Sequence, residues 1–115
     1  MNDKQKYKIF VDACKYWIDK FNLNHIEFNF VIVDDAPDRI AAATYQYDAH
    51  NAYIELSSEV NDRDEIIKAA LHEVLEVLLM PMKLQAINLA DAFHPYVQHE
   101  THAVIHILES ILEPT

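Results

Sequence analysis

The sequence predicts a single α+β domain: an N-terminal helix, a small three-stranded antiparallel sheet, a second main helix and a C-terminal helix. Three observations predict it. Apolar residues recur at three- and four-residue steps near both ends of the chain. Between them lie three short segments rich in β-branched and aromatic residues. Strands and helices are grouped rather than alternating, which marks α+β and not α/β. A length of 115 residues suits one hydrophobic core, so 1–115 reads as one domain.

The elements follow in order. Residues 4–21 form an amphipathic helix, with Tyr7, Phe10, Val11, Cys14, Trp17, Ile18 and Phe21 on its stripe. Residues 22–24 end it. Residues 26–33 form a strand in which Ile26, Phe28, Phe30 and Ile32 share a face. Residues 34–38, with Pro37, make a turn. Strands at 40–47 and 52–56 follow, joined by a hairpin loop at 48–51. In the second of these Ala52, Ile54 and Leu56 face one way and Tyr53 and Glu55 the other. Asn61 or Asp62 caps the next helix, and Glu65 favours its first turn. That helix is expected to stop at Met80, because Pro81 cannot donate a hydrogen bond to the preceding turn. Residues 83–93 read as a short helix or structured loop. The last helix covers about 96–112, with Val97, Thr101, Val104, Leu108 and Ile111 as its apolar stripe.

Composition narrows the function. The chain is 51% apolar, enough for a packed core, and its formal net charge is -10. Broad binding to nucleic acid or to an anionic membrane needs clustered Lys and Arg, so neither partner is expected. The one cysteine, Cys14, cannot form an internal disulfide, and its helix phase places it in the core rather than at a reactive site. The polar residues 1–8 show no signal segment, and no run is long enough to span a bilayer, so a cytoplasmic location is expected. Glycine is absent, which excludes glycine-rich phosphate loops and dinucleotide fingerprints.

One segment carries chemistry. Among residues 69–82 most side chains are apolar, and His72, Glu73 and Glu76 are the ionisable exceptions. A helix apolar all round is expected to be buried. Ionised carboxylates are costly to bury without partners, and a divalent cation offsets that cost. His72 and Glu76 are four residues apart and share a helix face, so they can converge on one ion. Nitrogen and oxygen ligands at roughly 2.0–2.2 Å suit zinc. Glu73 points about 100° away on a helix with 3.6 residues per turn. It is placed as the general base, as in the H-E-x-x-H helix, with Glu76 in the position of the second His. The competing reading is a plain His72–Glu76 hydrogen bond with Glu73 solvated. The final helix offers His99, Glu100, His102 and His106 as candidates for a third ligand. Tyr45, Tyr47 and Tyr53 read as core or sheet residues, with oxyanion stabilisation as the alternative.

Two stretches together resemble a known family. They are Leu71-His72-Glu73-Val74-Leu75-Glu76-Val77-Leu78-Leu79, and Glu100-Thr101-His102-Ala103-Val104-Ile105-His106-Ile107-Leu108-Glu109. They look like the minimal zincin-like metallopeptidases of bacteriophages and prophages, from about Ile26 onward. The resemblance implies one Zn²⁺ per chain held by His72 and Glu76. It makes His102 the third ligand, since His102 precedes Val104-Ile105 and Leu108-Glu109 in the family's order. It implies hydrolysis of a peptide bond by metal-activated water, with Glu73 as general base and a peptide or protein as substrate. It also implies a phage- or prophage-encoded protein working in the cytoplasm of the bacterial host. The family's substrate-receiving strand edge corresponds to the hairpin at residues 43–56. The chain departs from the commonest zincins in having Glu76 where they have a second His. Two other classes compete: a phage accessory protein with a structural or degenerate metal site, and a metal-free helical interaction domain. A di-iron carboxylate site is disfavoured, because it needs Glu-x-x-His motifs and the sequence has none.

Overall fold

The computed structural model describes residues 1–34, 39–89 and 94–112, with the backbone alone at 47, 82–89, 94–101 and 111. The element order is α1 (Asp3–Lys20), β1 (Glu27–Val33), β2 (Ala41–Gln46), a 3-10 turn (Tyr47–Ala49), β3 (Asn51–Ser57), α2 (Arg63–Leu89) and α3 (His94–Leu112). The fold is α+β, as expected.

α1 starts where its sequence supplies a reciprocal cap. The Gln5 backbone N–H donates to Asn2 Oδ1 at 2.8 Å, and the Asn2 backbone N–H donates to Gln5 Oε1 at 3.0 Å. It ends where Asn22 takes the left-handed conformation at φ 57°. The N–H of Leu23 then reaches the Ile18 carbonyl at 2.9 Å, and that of Asn22 reaches Asp19 at 3.1 Å. This is the paired closure that usually recruits glycine; a chain without glycine uses asparagine, whose short side chain tolerates the conformation. Phe10, Val11, Cys14, Trp17 and Ile18 are buried as expected, but Tyr7 is 41% exposed. Lys6 goes inward instead, and its Nζ donates to the Ser58 carbonyl at 2.7 Å, tying α1 to the end of β3.

The sheet is mixed rather than purely antiparallel. Its order is β1-β3-β2, with β3 parallel to β1 and antiparallel to β2. The β2–β3 hairpin forms as expected, Tyr45 opposite Ala52 and Ala43 opposite Ile54. β1 does not pair with β2, the strand that follows it. The chain instead reverses twice, and β3 inserts between them, so β3 runs in the same direction as β1. β3 takes the centre because its inward residues Ala52, Ile54 and Leu56 are almost wholly buried, and a central strand is the one covered along both edges. The turn expected at 34–38 lies, apart from Asp34, outside the described residues.

α2 is capped by Asp62, whose Oδ1 accepts from the Asp64 backbone N–H at 2.9 Å. The expected stop at Pro81 does not occur: the helix continues through Pro81 to Leu89. Proline removes one backbone hydrogen bond and crowds the preceding turn, but its fixed φ is itself helical, so the helix can absorb it when flanked by helix formers. The expected separate element at 83–93 is therefore the end of α2, with residues 90–93 outside the described set. α2 packs against α1, α3 and β2. Its Ile66, Ala70, Leu71, Val74, Leu75 and Val77 join Phe10, Cys14, Ile54 and Leu56 in one core.

α3 begins at His94, and its phase differs from the expected stripe. Ile105 is fully buried, and Leu108 and Leu112 pack on the core, whereas Val104 is 37% exposed. The side chains of Val97, Thr101 and Ile111 lie outside the described set. Rotating the buried face from Val104 to Ile105 decides which polar residues of α3 meet α2. Among the described residues, no helix is long and apolar enough to cross a membrane.

Candidate metal centre

The site forms where the middle of α2 faces the C-terminal half of α3. Leu71, Val74 and Leu75 anchor α2 to the core, and helical spacing then turns His72 and Glu76 along the seam with α3. On α3, burial of Ile105 leaves His102, His106 and Glu109 along the same seam, at three- and four-residue steps.

Two donor pairs meet at one carboxylate oxygen. Glu76 Oε1 lies 3.5 Å from His72 Nε2 and 3.5 Å from His102 Nδ1. Ligand atoms of His72, Glu76 and His102 all lie within 4.8 Å of one another. A tetrahedral ion with bonds of roughly 2.0–2.2 Å separates its ligand atoms by about 3.3–3.6 Å. The two spacings to Glu76 already match, and the His72–His102 pair needs only a modest approach. Two imidazoles and a carboxylate are also an ordinary zinc donor set, so the residues fit a bound divalent ion. His72 Nδ1 faces the other way, 3.3 Å from both oxygens of Glu109. Glu109 Oε1 is 3.2 Å from His106 Nδ1 as well.

Glu73 is separate from this group, as its angular position on the helix requires. It is only 7% exposed, so it is not the solvated edge residue of the competing reading. Its carboxylate has no hydrogen bond or ion pair with any described residue, and among the described residues no side-chain polar atom is both sealed from solvent and without a partner. It lines an open cavity of about 470 Å³, together with Arg39, Ile40, Ala41, Lys68, His72 and Glu109. Burial is the main cause that raises its pKa from 4.5 to about 7, with the Glu76 and Glu109 carboxylates adding to the rise and His72 and Arg39 opposing it. His72 moves in the same direction, from 6.5 to about 9, chiefly through its hydrogen bond with Glu76; burial opposes the shift, while Glu73 and Glu109 favour it. Arg39 is held beside the cavity by an ion pair with Glu55 at 3.0 Å. A larger groove of about 900 Å³ lies between α1 and α2, lined by Ile9, Ala13, Trp17 and Ile67, and none of these site residues lines it.

The structure thus brings His72, Glu76 and His102 together, and places Glu73 beside them. His106 falls instead beside Glu109. The side chains of His99 and Glu100 lie outside the described residues, as does that of Tyr47. Tyr45 is buried in the sheet and Tyr53 is 47% exposed; neither lines the Glu73 cavity. Cys14 is fully buried, its Sγ 4.0 Å from the Ala70 carbonyl, and burial pushes its thiol pKa well up. Glu109 is the site residue that reading the sequence for ligands did not single out. Its signal was spacing: it lies seven residues after His102 and three after His106, on the same face. Compared with known protein families, curated proteins and solved structures, the chain matches none of them.

Proposed function

We propose that the chain is a zinc-dependent metallopeptidase that hydrolyses a peptide bond in a peptide or protein substrate. The observation that supports it most is the convergence of His72, Glu76 and His102 next to a buried Glu73 that opens onto a cavity. A zinc ion held by those three residues supplies Lewis-acid polarisation of the substrate carbonyl and makes nearby water easier to deprotonate. His72 and Glu76 contribute from one rigid helix, and His102 contributes from the second. Glu73 serves as the general base: it takes a proton from the attacking water and returns it to the departing amine. A pKa raised toward neutrality suits a group that must both accept and release a proton near pH 7. The cavity between α2 and the start of β2 admits the substrate to Glu73. On the resemblance of its two motif stretches, the reading extends to a phage- or prophage-encoded protein acting in the host cytoplasm.

The test pairs metal content with turnover. His72→Ala, Glu76→Ala and His102→Ala each lose the one zinc per chain that the wild type retains. Glu73→Gln keeps the metal and lowers cleavage of an unfolded protein substrate by about 10²–10⁴-fold, the usual worth of a positioned general base. Wild-type protein free of zinc after gentle purification, and unmoved by added zinc in thermal melts, would sink the metal reading.

A second reading has one observation in its favour. Val104 and Ile107 on α3, flanking the site, are 37% and 59% exposed. An accessory protein that docks a partner there would use the metal as a structural link between α2 and α3. Full zinc occupancy with no cleavage of any unfolded or partner protein favours this reading over the peptidase.

A further inference from the structure

The geometry points to Glu109 as a positioning residue that selects which nitrogen of His72 faces the metal; this rests on the zinc reading above. Both carboxylate oxygens of Glu109 stand 3.3 Å from His72 Nδ1. An ionised carboxylate can only accept hydrogen bonds. Nδ1 therefore keeps its proton, and Nε2, which also faces a carboxylate, is the nitrogen that gives its proton up when a cation takes its place. Nε2 is the atom that sits 3.5 Å from Glu76 Oε1, in the ligand group.

Glu109 is not itself placed as a ligand of the same ion. The two nitrogens of an imidazole diverge, so an ion on the Nε2 side of His72 lies across the ring from Glu109. Glu109 is in turn held by His106, whose Nδ1 is 3.2 Å from the same Oε1 that faces His72. The His72 ring lies against both α3 histidines, with centroids 6.3 Å from His102 and 5.9 Å from His106. The α3 sequence His102-x-x-x-His106-x-x-Glu109 thus performs two tasks on one face: His102 completes the ligand group and Glu109 sets the orientation of its first member. Outer carboxylates of this kind fix ring tautomer and make the ligand nitrogen more basic, and their loss typically weakens metal binding by about 10–100-fold.

The test measures zinc affinity by competition with a chromogenic chelator on the full chain, alongside the absorption spectrum of the Co²⁺ form. Glu109→Leu removes charge and acceptor. It is expected to weaken zinc by about 10–100-fold while the saturated Co²⁺ spectrum keeps the wild-type band positions. Glu109→Gln keeps an acceptor oxygen and is expected to recover most of the loss. Metal-free urea midpoints of the two variants are compared, so that a change in folding is separated from a change in affinity. Zinc affinity within threefold of wild type in Glu109→Leu overturns the positioning role. A changed ligand-field spectrum at saturation overturns it too, because Glu109 would then be a ligand. A wild type that binds no zinc removes the metal reading itself, whereas the variant outcomes bear on Glu109 alone.

Discussion

α2 has two neighbouring helices, and the two seams are built from different materials. Toward α1 the contact is apolar: Phe10, Cys14 and Trp17 share a core with Ile66, Ala70 and Val74. Toward α3, among the described residues, the contact is apolar where Ile105, Leu108 and Leu112 meet the core; beside them His72, Glu76, His102, His106 and Glu109 contact one another at 3.2–3.5 Å. The first seam is held by removing apolar surface from water, which needs no ligand and little geometry. The second gathers two partly buried carboxylates around histidines, so its strength depends on what cation or proton is present. One helix is therefore fixed on one side and conditional on the other.

The largest effect that would test this contrast is on the α1 side. Phe10→Ala leaves a hole at a residue 1% exposed and is expected to cost about 3–5 kcal/mol of stability. The loss should be the same with and without zinc, as read by urea denaturation. A loss that shrinks when zinc is added would show that the two seams are coupled.

The next effect belongs to the α3 seam alone. Zinc at a hundred times its dissociation constant is expected to stabilise the wild type by about 2.7 kcal/mol. His102→Ala should abolish that gain and leave the metal-free midpoint nearly unchanged. If His102→Ala gains as much from zinc as wild type does, the third ligand is a different residue.

The smallest effect is the pH dependence of the metal-free chain. His72 has a folded pKa of about 9 against an ordinary 6.5, so the folded state holds its proton more tightly than the unfolded state. That contribution is complete below pH 6.5 and is lost as pH rises through 9. Glu73, raised from 4.5 to about 7, acts with the same sign over a lower window: its contribution is complete below pH 4.5 and gone above 7. Metal-free stability should therefore fall between pH 5 and 9, by on the order of 1 kcal/mol from His72 once solvent screening is allowed for. Zinc affinity should climb over the upper part of the same range, since the ligand nitrogen must lose its proton. Urea midpoints that are flat or that rise with pH in the absence of metal would show that His72 is not held by Glu76 and Glu109.

The same division explains how much could be read from the sequence. α1, the β2–β3 hairpin and the start of α2 were legible because each is fixed by near neighbours: a three- and four-residue apolar period, alternation around Ile54, and Asp62 as a cap. His72, Glu73 and Glu76 stood out because ionisable groups are rare on an apolar helix. What was not legible depends on distant parts of the chain. The parallel pairing of β1 with β3 is a choice between two partners of similar character, settled by which strand is best buried. Pro81 obeys a local rule that a long helix can override. α3 is apolar around much of its circumference, with Val104, Ile105, Ile107 and Leu108 in near succession, so period alone leaves its rotation open by a residue. That single residue decides whether Glu109 is scenery or a neighbour of His72.

Cys14 offers a practical consequence. It is the chain's one thiol, sealed at 0% exposure against the Ala70 carbonyl, on the seam away from the candidate metal group. A thiol-reactive dye can label it only in molecules that have opened, so the labelling rate counts opening events directly. Running that clock with and without zinc asks whether tightening one flank of α2 slows the parting of the other.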